Sequence, residues 1–218
     1  MILKMLQTGP LEVNCYIVGD EETREAAVFD PGGDAEKILG VLQSENLSLS
    51  RIVNTHAHWD HVGGNRELHE RTGAPIFLHA EEAPALSAAG TRARVYGCEA
   101  DESQASGFLK EGDVLSIGAI SMQVVDLRGH SAGGLGFVFE GDMESENGPQ
   151  HVRAVICGDA LFAGSIGRTD FPGGDMEVLL ENIRSRIFTL PDDTLVLPGH
   201  GPLTTVGREK QTNPFLRE

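Results

Sequence analysis

The chain has 218 residues, 40% of them apolar and 23% charged, a balance ordinary for a globular protein long enough to bury a sizeable core. Its 33 acidic against 17 basic residues give a formal net charge of −16, and no stretch gathers Lys and Arg into a stripe, which argues against nucleic acid as a partner because binding its backbone rests on neutralising phosphates. No run nears the roughly 18 apolar residues of a membrane span, and the first ten residues are broken by lysine, glutamine and proline before a signal-peptide core forms, so a soluble, cytoplasmic protein with no membrane partner is expected.

In chain order, strands are predicted at residues 2–6, 13–18 and 25–29, separated by turn signals at Gly9-Pro10 and Gly19-Asp20. A helix follows, with Asp34 as its N-cap and Ala35, Ile38, Leu39 and Leu42 recurring at helical period. The β-branched run at 51–54 then leads into Thr55-His-Ala-His-Trp-Asp-His61 and Val62-Gly-Gly64, read as a loop leaving a strand and entering a helix that lasts to about Arg71. A strand at 76–78 and a helix at 80–88 come next, and residues 90–107 read as an irregular excursion. A second set of strands is predicted at 114–117, 121–126, 135–140 and 152–157, with an acidic hairpin at 141–150 between the last two, whose stretch Asp142-Met-Glu-Ser-Glu-Asn147 is read as a solvated loop. A helix at 175–188 is expected to carry Met176, Leu179, Leu180, Ile183 and Ile187 on one face, and a strand at 194–197 delivers His200. Strand sets separated by helices suggest layered sheets with helices outside.

His56, His58, Asp60 and His61 crowd four ligand-type side chains into six positions. Neutral imidazole is the commonest protein ligand for zinc, and a neighbouring carboxylate suits a second or shared divalent ion. Three further sites share one setting, just after an apolar run and beside glycine, where backbone can approach an ion closely. They are His130 in Arg128-Gly-His-Ser-Ala-Gly-Gly134, Asp159 after Val155-Ile-Cys-Gly158, and His200 in Leu197-Pro-Gly-His-Gly201. Of the eight histidines, His69, His79 and His151 lie outside these segments and are read as ordinary. His69 is expected to be exposed and His79 to cap the helix after its strand. Cys15, Cys98 and Cys157 are odd in number and irregularly spaced, which fits reduced thiols better than a disulfide framework or a cysteine zinc site. Cys157 is read as a small buried strand residue.

Taken in order, His56-Ala-His-Trp-Asp-His61, Gly129-His-Ser131, Cys157-Gly-Asp159 and Gly199-His-Gly201 resemble the metallo-β-lactamase superfamily of hydrolases over nearly the whole chain. Within it, the runs 158–171 (GDALFAGSIGRTDF) and 198–215 (PGHGPLTTVGREKQTNPF) are similar to short glyoxalase II-like, that is hydroxyacylglutathione hydrolase-like, proteins. The resemblance implies a single α/β domain over 1–218, a four-layer αββα sandwich, without the C-terminal helical glutathione-binding domain of larger glyoxalase II enzymes.

The resemblance also implies a ligand set for two divalent ions, zinc first and iron or manganese as alternatives. His56, His58 and His130 match the ligands of one ion, Asp60, His61 and His200 those of the other, and Asp159 bridges them. Seven protein groups for two ions leave open positions, as catalysis requires. Such a pair lowers the pKa of a shared water, so that hydroxide is available as a nucleophile at neutral pH. The implied substrate is a small-molecule thioester, glutathione-derived, such as S-lactoylglutathione. Its thiolate leaves readily, and Asp60 is a candidate catalytic residue that orients the water. Arg168 matches a basic residue that contacts glutathione carboxylate, although Asp170 stands where those enzymes carry tyrosine; an ion pair between Arg168 and Asp170 is the competing reading. A persulfide dioxygenase using one iron at His56, His130 and Asp159 is the alternative enzyme, and a metal-binding module without turnover is the alternative of another class.

Overall fold

The computed structural model describes residues 1–145 and 148–217, which form two compact units. The first comprises Met1–Leu109 and the turn Ser116–Ile120, and the second Lys110–Leu115 with the chain from Ser121 onward.

The first unit is built on a six-stranded sheet whose order follows the chain: β1 (Ile2–Thr8), β2 (Val13–Gly19), β3 (Glu25–Phe29), β4 (Ser48–Val53), β5 (Ile76–Leu78) and β6 (Gly107–Phe108). The first two pairings are antiparallel and the remaining three parallel. Every residue of β2 is buried, as expected of a central strand covered on both faces. Helix α1 (Ala35–Ser44) makes the crossover from β3 to β4 and buries Ala35, Ile38 and Leu42, one face of a 3.6-residue period. Asp34 does occupy its N-cap, but in left-handed conformation (φ 51°) and with no side-chain bond to its own helix; its carboxylate instead accepts from the Gly9 N–H at 3.0 Å.

Helices α2 (Trp59–Val62) and α3 (Asn65–Thr72) follow β4, so the histidine cluster lies on the loop from strand to helix. After β5, His79 accepts from the Glu81 N–H at 3.3 Å and caps a 3₁₀ turn, Ala80–Glu82, that leads into α4 (Ala83–Leu86). The stretch read as irregular contains a helix, α5 (Ala89–Val95), whose buried residues are Ala89, Gly90 and Ala93. Burial of residues this small leaves almost no hydrophobic periodicity to read.

The second unit carries a six-stranded sheet in the order β14-β13-β10-β9-β8-β7. Its strands are β7 (Val114–Ile117), β8 (Ile120–Asp126), β9 (Leu135–Ser145), β10 (Gly148–Gly158), β13 (Leu195–Pro198) and β14 (Thr204–Thr205); a separate two-stranded hairpin is formed by β11 (Leu161–Phe162) and β12 (Ser165–Ile166). The acidic hairpin is present, but residues 142–145 are strand and not loop. Strands β9 and β10 run on through it in antiparallel register, Asp142 opposite His151 and Glu144 opposite Pro149, and only residues 146 and 147 of that reading fall outside the described residues. Cross-strand pairs His151 to Asp142 (2.8 Å) and Arg153 to Glu140 (2.5 Å) line the exposed ribbon, each opposite-charge pairing a modest contribution to strand registry.

Helix α6 (Met176–Asn182), capped by Asp175 accepting from the Val178 N–H, continues as a π-turn, Ile183–Ile187. Phe188 N–H donates to the carbonyl five residues back, at Ile183, and the buried apolar side chains are Leu179, Ile183 and Ile187. Met176, expected on that face, is 42% exposed. The chain then forms α7 (Val206–Thr212), and Leu216 beyond it is buried in the apolar cluster of this unit.

Candidate metal centre

In the first unit, one carboxylate organises the histidine loop. Asp30 follows β3 in left-handed conformation (φ 49°) and is 1% exposed. Its carboxylate accepts from the Thr55 N–H (2.7 Å), the Thr55 hydroxyl (2.6 Å) and His61 Nδ1 (3.1 Å). A carboxylate only accepts, so His61 carries its proton on Nδ1 and presents Nε2 as a lone-pair donor. The Thr55 hydroxyl has spent its proton on Asp30, so at 3.0 Å its oxygen accepts from His56 Nδ1, which leaves His56 Nε2 as the second lone-pair donor. Sequence reasoning missed Asp30, although it shows the same signal as Asp159 and His200: an apolar strand before it and Pro31-Gly32-Gly33 after it.

The ligand atoms these bonds expose converge. His56 Nε2 accepts from His58 Nδ1 at 3.0 Å, and suitable atoms of Asp30, His56 and His61 lie within 4.8 Å of one another. His61 Nε2 stands 3.7 Å from Asp60 Oδ2. The loop is held from behind by Glu82, 3% exposed, whose carboxylate accepts from the Ala57 N–H at 2.8 Å between the two histidines. Asn54 holds the far end, donating to the His61 carbonyl at 3.3 Å. The loop tolerates no bulk: a Cβ at Gly32 would lie 2.1 Å from the Asp60 carbonyl oxygen.

In the second unit, His130, Asp159 and His200 gather around one carboxylate. His130 Nδ1 lies 2.8 Å from the Arg168 carbonyl oxygen, which can only accept, so Nδ1 carries the proton and Nε2 presents its lone pair. That Nε2 is 3.7 Å from Asp159 Oδ2, and His200 Nε2 is 3.8 Å from the same oxygen. Arg168 itself is turned to Asp170, with Nε and Nη2 each 2.7 Å from a carboxylate oxygen, and its guanidinium lies 3.8 Å over the Phe171 ring. The ion-pair reading of Arg168 is therefore the arrangement present. Cys157 is a buried strand residue, as expected, with its thiol against the Leu161 carbonyl. His69 is exposed and bonds the Ala74 carbonyl, and His151 belongs to the exposed ribbon.

Lone-pair donors 3.7–3.8 Å apart are too distant for a hydrogen bond. They are about as far apart as two ligands each roughly 2.0–2.2 Å from one ion. Imidazole tautomers fixed by hydrogen bonds on the far nitrogen are the usual outer support of such ligands. The donor set in each unit thus fits a divalent metal.

The comparisons agree with this chemistry. Residues 8–200 match the model of the metallo-beta-lactamase superfamily, and the chain belongs to that family and has its fold. Among its relatives, hydroxyacylglutathione hydrolase GloC of Haemophilus influenzae is 34% identical over 99% of this chain and 98% of its own length. Among solved structures, BLEG-1 B3 metallo-beta-lactamase superposes with a TM-score of 0.86 at 36% identity, covering all of both chains. TTHA1623 in a di-iron-bound form superposes at 0.83 and 37% identity, over 98% of this chain and all of that one. The chain is a metal-dependent hydrolase by family, and no helix among the described residues is long and apolar enough to cross a membrane.

Proposed function

We propose that this chain is a binuclear thioester hydrolase acting on a small glutathione-derived substrate such as S-lactoylglutathione, in the cytoplasm, as one domain of the family. The observation that carries the metal chemistry is the matched set of tautomer-fixed imidazoles, each with its lone pair about 3.7 Å from a carboxylate oxygen in its own unit. The thioester is supported by the name of the Haemophilus influenzae relative.

On the family's pattern, His56, His58 and His130 are the proposed ligands of one ion and Asp60, His61 and His200 those of the other, with Asp159 serving both. Zinc is the proposed metal, and the di-iron form of a 37% identical structure makes iron its first competitor. When bound, two such ions supply Lewis acidity and a water acidic enough to ionise near neutral pH. The chain supplies the rest. Asp60 accepts a hydrogen bond from the attacking water and aims its lone pair at the thioester carbon. Asp30 and the Arg168 carbonyl keep His61 and His130 in the tautomer that leaves Nε2 unprotonated. A thiolate departs without a general acid, so none is required of the protein. Arg168 is proposed to meet a substrate carboxylate by exchanging it for Asp170.

The test is metal analysis of protein purified without chelator, followed by assay of S-lactoylglutathione. Two equivalents of metal and thioester cleavage are expected, both lost in His58→Ala and Asp159→Ala while the circular dichroism spectrum is kept. Full hydrolysis by metal-depleted Asp159→Ala would sink the binuclear reading. One iron with oxygen uptake on glutathione persulfide would replace it by the dioxygenase, cleavage of a β-lactam alone by a lactamase, and metal without turnover by a binding module.

A further inference from the structure

We infer that residues 204–216 act as a positioning clamp for His130, working through the β11–β12 hairpin; the inference rests on the metal reading above. The clamp centres on Glu209, a carboxylate with no exposed surface. Its Oε1 accepts from the Thr204 hydroxyl at 2.6 Å, and its Oε2 accepts from the Gly164 N–H at 2.8 Å and from Asn213 Nδ2 at 2.9 Å. Asn213, also fully buried, donates from the same nitrogen to the Ser165 carbonyl at 3.0 Å. Gly164 and Ser165 are the tip of the hairpin, so α7 holds it by two bonds from side chains to backbone.

All three partners of Glu209 are uncharged. A buried carboxylate in such company is a poor source of stability compared with an apolar residue of the same size, so its contribution lies in position. The hairpin needs external support, because its ladder pairs only Leu161 with Ile166 and Phe162 with Ser165, and so short a ribbon is not stable alone. Its far end reaches the proposed ligands. Gly167 N–H donates to the Ala160 carbonyl at 3.2 Å, and a Cβ on Gly167 would lie 1.9 Å from the Asp159 carbonyl oxygen and 2.9 Å from His130 Nδ1. The next carbonyl, that of Arg168, receives the His130 Nδ1 proton. A path of hydrogen bonds and hairpin backbone therefore runs from Asn213 and Glu209, through residues 164–168, to the bond that fixes the tautomer of His130.

The test compares Asn213→Ala, Glu209→Ala and Glu209→Gln. Glutamine is the conservative variant: its carbonyl oxygen replaces Oε2, and the Thr204 hydroxyl can rotate to accept from its amide. Zinc affinity, measured by competition with a chromophoric chelator, is expected to fall about tenfold in the two alanine variants, the lower end of losses from removing outer support, and to return to within a few-fold of wild type in Glu209→Gln. In metal-free protein, the ¹⁵N shifts of the His130 ring should report Nδ1–H in wild type and a mixture of tautomers in Asn213→Ala. Alanine variants that melt lower yet keep wild-type zinc affinity and a pure Nδ1–H tautomer would overturn the clamp. If Asn213→Ala does not fold, Thr204→Val, which removes one donor from Glu209, is read on the same two measurements. Wild-type protein that takes up no zinc or iron, with the His130 tautomer still responding to Asn213, would refute the metal reading and leave the clamp standing.

Discussion

The imidazoles that belong to the candidate centre are set by what stands behind them. Asp30→Asn replaces one acceptor oxygen by a donor and sets it against Thr55 or His61, so metal affinity should fall roughly 10- to 100-fold, a loss read directly by chelator competition. Gly167→Ala is expected to destabilise by at least about 1–3 kcal/mol, the usual cost of forcing bulk into a packed site, because its Cβ would collide with the Asp159 backbone; denaturant titration measures it. Arg168→Ala should leave stability nearly unchanged, since exposed ion pairs contribute little, and should raise KM for the thioester with kcat retained if the residue meets substrate. His56, His58, Asp60 and His61 were legible through their crowding into six positions, and His130, Asp159 and His200 because each follows an apolar run beside glycine. Asp30 carried that signal too, before Pro31-Gly32-Gly33, but as a lone carboxylate with no histidine beside it. Glu82 carried none: it sits beside Glu81 in a polar turn, and its burial and its bond from the Ala57 N–H are visible only in the fold.

Among the elements, legibility followed the size of the buried side chains. Helix α1 announces itself through Ile38 and Leu42, whereas α5 buries two alanines and a glycine and is silent. The ribbon of β9 and β10 misled for the opposite reason: Asp142, Glu144 and His151 are polar because a two-stranded extension is wet on its surface, yet its strands keep antiparallel register. In α6 the pattern was right and the face shifted. Leu179, Ile183 and Ile187 recur every four residues, a spacing that drifts around a regular helix, and the π-turn brings them back to one side. Ile183→Ala should therefore cost about 2–5 kcal/mol by leaving a cavity, while Met176→Ala should stay within about 0.5 kcal/mol; equilibrium unfolding of the two variants checks the difference.

For the molecule as a whole, two sheets with helices between their strands were foreseen, and the family fold follows from the full-length match to solved structures. Charge is where the whole chain responds together. Asp20 is held below the usual carboxylate range, first by the Thr23 N–H and then by the Ala119 and Glu22 N–H groups, against the opposing effect of burial. A carboxyl depressed by folding contributes stability that is fully present above its unfolded pKa of about 3.9 and is lost as pH falls through its folded value. The melting temperature of wild type should thus exceed that of Asp20→Asn above about pH 4, and the gap should close on further acidification. The single carboxylate of Asp30 has a consequence of another kind. It supports His56 through Thr55 and His61 directly, and these two are the ligands proposed for different ions. Ordering of that network by the first ion leaves less for the second to order, so filling the two sites should be cooperative. A zinc titration should give a Hill coefficient above one that falls to one in Asp30→Asn.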